Sequence, residues 1–420
     1  MKKTVTKRNG DIVEFDFDKI INAIDRANNE TEEMDSKEVF LSAIEVEERV
    51  KEESEENSIH VEEIQDIVEE ELMLSGHTKT AKAYILYREK QAEERKRDVF
   101  KPRTNLKPYE YPEADEYKEA IQHSFWLFSE FNYNSDIQDY KVNVKPHERT
   151  AIKNSMLAIS QIEVEVKTFW GDLYKHVPKP EFANVGSVFG ESEVRHADAY
   201  ANLLELLGLN EEFAKIDEIP ALINRVKYLK KHNLYVATGE KRDYMIAVLL
   251  FSAFIENVSL FSQFLVIMSF NKYSNLFNGM SNAIEATSKE ENTHYLFGVY
   301  LVNLIKEENP EWFDEDMISK FKEIALEAYE SEKELLDWIF EDGELDFLPK
   351  RTVEHFLMNR LNDAFVAIGL EPLFEVDEEE VIKTDWFQEE VVTTKHLDFF
   401  HKRSVNYSKR SKSVTADDLF

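Results

Sequence analysis

The chain has 420 residues, of which 43% are hydrophobic and 12% aromatic, so it is long and apolar enough for about two or three domains with sizeable cores. Its formal net charge of −33, from 84 acidic and 51 basic residues, excludes a general nucleic-acid-binding surface, and a bound nucleotide would need a local basic site. The sequence contains no cysteine, which excludes disulfides, thiolate metal ligands and thiol catalysis within this chain.

Residues 1–92 are predicted to form a small α/β domain. Residues 4–8 and 11–15 are typical of two short strands joined by an Asn9-Gly10 hairpin turn. Four amphipathic helices are expected to follow, at about 18–30, 36–53, 60–75 and 78–95. Residues 93–115 are charged and rich in Pro, and they are predicted to form an ordered linker.

Residues 116–370 are predicted to be almost purely helical. Helices are expected at about 113–133, 146–174, 180–208, 241–270, 280–308, 310–340 and 350–369. Residues 371–420 show little helical periodicity and are predicted to form a C-terminal tail. No apolar run is predicted to reach the roughly 18 residues that cross a bilayer, and no apolar signal segment follows the basic N-terminus. We therefore expect a cytoplasmic protein that binds neither membranes nor nucleic acid.

Two Glu-x-x-His motifs, Glu193–His196 and Glu291–His294, stand out because none of the other histidines follows a Glu by three residues. Residues three apart on a helix share one face about 5–6 Å apart, so each pair can hold one side of a metal centre. Each motif follows a long helical segment that carries a further Glu, Glu163 or Glu256. Two helices with one Glu each and two with Glu-x-x-His form the ligand set of the ferritin-like dinuclear carboxylate proteins.

The charge of this set also indicates metal binding. The four carboxylates and two neutral imidazoles together balance two divalent cations. Without cations, burial of so many acids would cost several kcal/mol or force them to take up protons. Oxygen-rich ligation suits iron and manganese alike, so the sequence predicts a dinuclear centre of two Fe or two Mn and leaves that choice open.

Four segments together closely resemble the class I ribonucleotide reductase small subunit, the radical-generating beta chain: residues 124–126, 162–167, 193–200 and 290–294. The resemblance covers about residues 110–420 and implies a mainly α protein with a ferritin-like dinuclear-metal helical bundle after the small α/β domain. It implies six metal ligands: Glu163, Glu193, His196, Glu256, Glu291 and His294. Glu165 is a rival to Glu163, since residues two apart lie about 200° apart on a helix and only one of them can face the metals.

The same resemblance implies roles for four further residues. Tyr200 lies on the helix face of His196, where the family keeps its radical tyrosine, although Tyr is more commonly a core residue. Trp126 matches the tryptophan that begins the electron path out of the site. Glu290, where many members have Asp, would link that tryptophan to His196. Tyr407 is the candidate for a tyrosine that relays the radical to a partner.

The resemblance also implies a partner protein. Ribonucleotide reduction in this family needs a thiyl radical and reducing thiols, which a chain without cysteine cannot supply. The oxidising equivalent would therefore pass to a separate large (alpha) subunit, which the acidic and aromatic C-terminal tail would dock. The family forms homodimers, so we expect a homodimer here.

Residues 5–10, 15–20 and 81–88 resemble the ATP-cone, a regulatory nucleotide-binding domain, which would cover residues 1 to about 92. The resemblance implies ATP as a permissive effector and dATP as an inhibitor. Because each dimer would carry two of these domains, we also predict that dATP joins dimers into tetramers with closed symmetry. Residues expected to contact the nucleotide are Lys7, Arg8, Asn9, Gly10, Lys19, Lys82 and Arg88. The simpler interpretation of these bases is a scatter of surface charge.

Two other functions compete with this one. A stand-alone ferritin-like dinuclear oxidase would share the metal ligands but would not need Trp126, Tyr407 or a docking tail. A metal-storage protein would not need a nucleotide-binding domain.

Overall fold

The computed structural model describes residues 4–7, 12–53, 58–95, 97–237 and 239–391. The chain divides into two compact units between Arg97 and Asp98. The prediction of a mainly α protein with a small α/β unit before it is confirmed.

The first unit contains a three-stranded sheet in the order β2-β1-β3. The strands are β1 (Thr4–Thr6), β2 (Ile12–Glu14) and β3 (Ser58–His60). β1 pairs antiparallel with β2 and parallel with β3. β3 was not predicted from the sequence, because three residues next to a helix start are too few to show a period of two.

Four helices pack against this sheet: α1 (Phe17–Asn28), α2 (Ser36–Glu53), α3 (Val61–Leu74) and α4 (Thr78–Arg95). Their start sites are set by side chains that accept orphan N–H groups. Asp16 accepts from the Asp18 N–H at the start of α1, and His60 and Glu63 form a capping box at the start of α3. Val5, Ile24 and Ile59 contribute to the buried core of the unit.

The second unit is a helical bundle. Its helices are α5 (Ala114–Ser124), α6 (Asn134–Gln138), α7 (Pro146–Gly171), α8 (Leu173–His176), α9 (Pro180–Leu207), α10 (Asn210–Phe213), α11 (Pro220–Ala237), α12 (Lys241–Leu249), α13 (Leu260–Ser274), α14 (Asn278–Glu308), α15 (Glu315–Ile339), α16 (Lys350–Ala367), α17 (Glu378–Ile382) and α18 (Asp385–Val391). π-helical turns occupy Asp139–Asn143 and Leu250–Ser259, and the latter joins α12 to α13 without a break.

Three sequence predictions about this unit were wrong in detail. α5 ends at Ser124 instead of about residue 133, and the next residues form short turns. α11 was missed because its lysines obscure the apolar period, although Pro220 at its first position is a helix-start signal. Residues 371–391, predicted as tail, contain α17 and α18, and Phe387 is fully buried.

Residues 98–115, predicted as part of a linker, pack onto the bundle. Val99 and Tyr111 are fully buried in its core. The Tyr111 hydroxyl donates to Glu308 Oε1 at 2.6 Å, and Glu181 Oε1 accepts from the backbone N–H of Glu110 and of Tyr111. These contacts join the segment to α9 and α14, so it is structurally part of the second unit.

The segment Lys241–Ser274 is long and apolar enough to cross a membrane, which corrects the expectation that no run is. Its most apolar window is 100% buried inside the bundle. The segment runs through α12, the π-helical stretch and α13, and it is therefore a central core helix that carries Glu256.

Gly298 on α14 allows the closest approach to this central helix. A Cβ at Gly298 would lie 2.0 Å from Ser252 Oγ and 2.1 Å from Ser252 Cβ, so rotation of the hydroxyl could not relieve the overlap. We expect Gly298→Ala to lower the free energy of unfolding by about 1–3 kcal/mol or more through overpacking. Thermal unfolding would measure this loss. Gly190→Ala is the matched control, because its Cβ would meet only Gly171 at 3.5 Å.

Candidate metal centre and nucleotide pocket

Six buried side chains from four helical segments meet inside the bundle. α7 and the π-helical stretch contribute one carboxylate each, and α9 and α14 contribute one Glu-x-x-His motif each. All six side chains are 2% exposed or less: Glu163, Glu193, His196, Glu256, Glu291 and His294. These are the residues predicted from the sequence as ligands.

The six side chains form two overlapping groups of four. Glu163, Glu193, His196 and Glu291 form one group, and Glu193, Glu256, Glu291 and His294 form the other. Within each group, one ligand atom from every residue lies within 4.8 Å of the others. The carboxylates of Glu193 and Glu291 belong to both groups, so each of them could contribute to both metal sites.

The Nδ1 atoms of both histidines are turned toward these carboxylates. His196 Nδ1 lies 2.9 Å from Glu291 Oε1 and 3.5 Å from Glu193 Oε2. His294 Nδ1 lies 3.0 Å from Glu193 Oε1 and 3.1 Å from Glu291 Oε2. Oxygen and nitrogen donors therefore converge from opposite sides.

Several of these donors have no hydrogen bond among the described residues. They are both oxygens of Glu163 and of Glu193, Oε2 of Glu256, Oε1 of Glu291 and Nδ1 of His196. Of the short distances to histidine nitrogens given above, only that from His294 Nδ1 to Glu291 Oε2 has hydrogen-bond geometry. Burial of a polar atom without a partner is costly, and cations bound between the donors would satisfy all of them. The residues present therefore fit a dinuclear metal centre, and their oxygen-rich chemistry suits iron or manganese.

The electrostatics of the metal-free site indicate a high affinity for protons. Burial, followed by repulsion from neighbouring carboxylates, raises the pKa of Glu256 to about 8 and also raises the pKa of Glu163. Burial raises the pKa of Glu193, but contact with His196 and His294 outweighs burial and lowers this pKa to about 2. Against the effect of burial, the carboxylates of Glu291 and Glu193 raise the pKa of His196. Those of Glu193, Glu256 and Glu291 raise the pKa of His294 in the same way.

We expect metal loading to release at least one proton per chain at neutral pH. Glu256, with its pKa of about 8, and the histidines must lose their protons to act as ligands. The apparent metal affinity should therefore rise as the pH rises through about 8, where Glu256 loses its proton, and fall as the pH drops below it. Calorimetric titration of the metal-free chain in buffers with different ionisation enthalpies measures the released protons, and a buffer-independent enthalpy would contradict the expectation.

Outer contacts hold the ligands in place. The Trp170 indole N–H donates to Glu256 Oε1 at 2.5 Å, and Ser192 Oγ lies 3.0 Å from His294 Nε2. Partners of this kind orient metal ligands. Trp170 was not predicted from the sequence, although its position seven residues after Glu163 on α7 places both on one helix face.

Glu290 connects the metal centre to Trp126. Its Oε2 accepts from the Trp126 indole N–H at 3.1 Å and lies 2.8 Å from His196 Nε2. The rings of Trp126 and His196 are stacked at 6.2 Å. Ser124 and Arg195 also donate to the Glu290 carboxylate, and neither contact was predicted. Burial raises the pKa of Glu290, but the hydrogen bond to His196, followed by the positive charges of His196 and Arg195, lowers it below its usual value.

Tyr200 lies on α9 and is 1% exposed. Its hydroxyl has no hydrogen bond among the described residues. Burial, and after it the Glu163 and Glu291 carboxylates, raise the pKa of Tyr200 well above its usual range. The phenol therefore stays protonated next to the carboxylates. Tyr407 and the side chain of Glu165 lie outside the described parts of the chain.

The first unit contains a cavity of about 280 Å³ between the sheet and its helices. Apolar side chains form most of its wall, and two lysines and two acids also line it: Val5, Val13, Ile20, Ala23, Ile64, Val68 and Tyr84, with Lys7, Lys19, Glu14 and Asp16. Among the predicted nucleotide contacts, Arg8, Asn9 and Gly10 lie outside the described residues. Lys82 is exposed and does not line the cavity.

Arg88 also lies outside the cavity wall. Its guanidinium forms ion pairs with Glu62, Asp66 and Glu69 at 2.6–2.8 Å. Three carboxylates therefore already neutralise this charge, and in this conformation it is not available to a phosphate.

Comparisons with known proteins agree with this division into two units. The profile of the family described as ribonucleotide reductase, small chain, matches residues 103–381, and the ATP cone domain profile matches residues 3–93. The probable ribonucleoside-diphosphate reductase small subunit 048L of Invertebrate iridescent virus 3 is 24% identical over 324 residues, covering 74% of this chain and 85% of that protein. The ribonucleoside-diphosphate reductase subunit beta of Treponema pallidum is 23% identical over 326 residues, covering 75% and 91%.

Among solved structures, the ribonucleotide reductase R2 subunit from Clostridium botulinum superposes with a TM-score of 0.61 at 18% identity. The superposition covers 67% of this chain and 89% of that one. It confirms the predicted bundle fold.

Proposed function

The chain belongs to the ribonucleotide reductase small-chain family, and we propose that it is the radical-generating subunit of a class I ribonucleoside-diphosphate reductase whose six buried donors hold a dinuclear metal centre. The observation that carries the proposal is the connection of those donors to Trp126 through Glu290. A stand-alone oxidase or a metal store has no use for such a connection.

The chemistry supplied by a bound pair of iron or manganese ions is one-electron oxidation, driven by dioxygen or a reduced oxygen species. The chain's own residues contain this oxidant. Tyr200 is buried beside the carboxylates and is the proposed store, unless the centre itself keeps the oxidising equivalent. Phe254, Phe261 and Phe264 are buried on the central helix and exclude water. Trp126 is the proposed exit, since its indole contacts Glu290 at 3.1 Å.

The proposal includes a large subunit that contains the cysteines for ribonucleotide reduction, since this chain has none. Residues 392–420 would dock that subunit, with Tyr407 as the relay, and the bundle would form a homodimer in the cytoplasm. The test is reconstitution of the metal-loaded chain with such a large subunit. We expect reduction of ribonucleoside diphosphates only when both chains are present. Activity of the large subunit alone, or none with both, would contradict the proposal.

We also propose that the cavity of the first unit binds ATP and dATP. Its apolar wall suits an adenine ring, and Lys7 and Lys19 offer charge to phosphates. Asp16 lies 3.9 Å from the Lys19 amine, too far and too exposed to compete strongly with a phosphate.

Lys19→Glu is expected to weaken dATP binding about 10- to 100-fold, because a repulsive carboxylate replaces an attractive amine near the phosphates. Calorimetry with the full chain measures the affinity. Lys37→Glu makes the same charge change on the exposed face of α2, away from the cavity, and should leave the affinity unchanged. Equal losses in both variants would show a nonspecific effect of charge.

Regulation would act through assembly. A nucleotide shifts an association equilibrium only if it binds the associated form more tightly, so we propose that dATP, unlike ATP, favours a tetramer of the full chain. Light scattering with each nucleotide tests this proposal. A chain that starts at Asp98 should keep its mass and its activity under dATP, because it lacks the first unit. An unchanged mass of the full chain despite measured dATP binding would remove the assembly mechanism.

A further inference from the structure

Arg195 follows Val194 in the first Glu-x-x-His motif, but its side chain hydrogen-bonds to Glu290 and not to any of the six metal donors. Its Nη1 donates to Glu290 Oε2 and its Nη2 to Glu290 Oε1, both at 3.1 Å. This is a two-pronged contact, which the planar guanidinium forms and a lysine amine cannot. The Arg195 side chain is only 6% exposed and Glu290 is fully buried, so the pair is shielded from solvent.

Other contacts fix the guanidinium itself. Its Nε donates to both oxygens of Glu191 at 3.1 and 3.0 Å. Nη1 also lies 3.4 Å from the Trp126 carbonyl oxygen. The group is 4.7 Å from the centre of the Phe125 ring, at cation–π distance. The fork that faces Glu290 therefore has one orientation.

The orientation of the Glu290 carboxylate decides whether Trp126 and His196 share one oxygen. Oε2 accepts from Trp126 and lies 2.8 Å from His196, while Oε1 accepts from Ser124 at 3.0 Å. The terminal torsion of a Glu side chain has broad, shallow minima, so it does not select this orientation by itself. A fork that contacts both oxygens selects it.

We propose that Arg195 is a positioning residue for the electron path, one that locks the Glu290 carboxylate so that a single oxygen joins the Trp126 indole to His196. The electron path itself rests on the proposed function, whereas the orientation of the carboxylate rests only on contacts between the chain's own residues. Arg195 also balances the charge of a fully buried carboxylate, which would otherwise be costly.

The first test needs no metal and no activity. The five tryptophans are labelled with ¹⁵N in the metal-free full chain, and the indole resonance lost in Trp126→Phe identifies Trp126. We expect Arg195→Gln and Arg195→Lys to shift or broaden that resonance, because neither side chain holds both oxygens. Arg351→Gln is the matched control, since it makes the same change at an exposed arginine that pairs with Asp377 instead of Glu290, and it should leave the resonance in place. An unmoved resonance in both Arg195 variants would overturn the proposal.

The second test is turnover with the large subunit at equal metal content. We expect Arg195→Gln and Arg195→Lys each to lose about 10- to 100-fold, as for other contacts that orient a site through a second residue. Full activity in Arg195→Lys would show that charge alone suffices and would overturn the positioning role. If Trp126→Phe also retained full activity, the proposed electron path would fail instead, so the two failures are distinguishable.

Discussion

Glu193→Ala and Glu291→Ala are each expected to abolish the loading of both metal ions, whereas Glu163→Ala and Glu256→Ala should each weaken mainly one site. The reason is the overlap of the two donor groups: Glu193 and Glu291 belong to both, and the other two carboxylates to one each. Loss of a buried carboxylate also leaves the charge of the bound cations uncompensated. A deficit of about 3–5 kcal/mol corresponds to a loss of affinity on the order of 10²–10⁴-fold.

Metal content per chain after loading and dialysis measures this result. Glu285→Ala is the matched control. Glu285 lies on α14, as Glu291 does, but its carboxylate pairs with Lys289 and belongs to neither donor group. The metal-free Glu163→Ala and Glu256→Ala variants should remain folded, because burial raises the pKa of both carboxyl groups and so disfavours their charged forms in the metal-free chain. Two metals per chain in Glu193→Ala or Glu291→Ala would refute the ligand assignment. Equal losses in all four variants would refute only the proposal that Glu193 and Glu291 contribute to both metal sites.

Local periodicity explains why the six donors could be predicted from the sequence. Both Glu-x-x-His motifs lie on uninterrupted α-helix, where a spacing of three fixes a shared face without any knowledge of the tertiary structure. Glu256 is different, because it lies in a π-helical stretch that no period of 3.6 residues predicts. Its place among the donors was predicted from the long helical segment before the second motif and from the family resemblance, and not from a period along the helix.

The contacts around the donors could not be predicted in the same way. Trp170, Ser124 and Arg195 each reach their partner across helices, at sequence separations of 86, 166 and 95 residues. Nothing in local sequence indicates such a pair, because its geometry depends on how the helices cross. The same holds for Arg88, which was predicted to contact a phosphate. Its guanidinium instead forms ion pairs with three carboxylates of α3.

Trp126→Phe is expected to retain both metals yet lose nearly all turnover with the large subunit. Trp126 contributes nothing to the two donor groups, so metal binding has no reason to change. Phe keeps an aromatic shape against Phe131, whose ring centre is 5.6 Å from that of Trp126. It removes the indole N–H that donates to Glu290, and a benzene ring is far harder to oxidise than an indole. The oxidising equivalent would then remain at Tyr200 or at the metal centre.

Electron paramagnetic resonance and turnover on the same samples separate these effects. We expect the oxidised centre to form in Trp126→Phe and to persist when the large subunit and substrate are added, whereas it turns over in the unmodified chain. Trp312→Phe is the matched control, because this tryptophan packs on Phe100 and has no contact with Glu290 among the described residues. Normal turnover in Trp126→Phe would show that the indole is not part of the electron path. The route by which the oxidising equivalent leaves the metal centre would then be unassigned. Loss of metal in the same variant would instead show that the indole acts through Glu290 on the ligand His196.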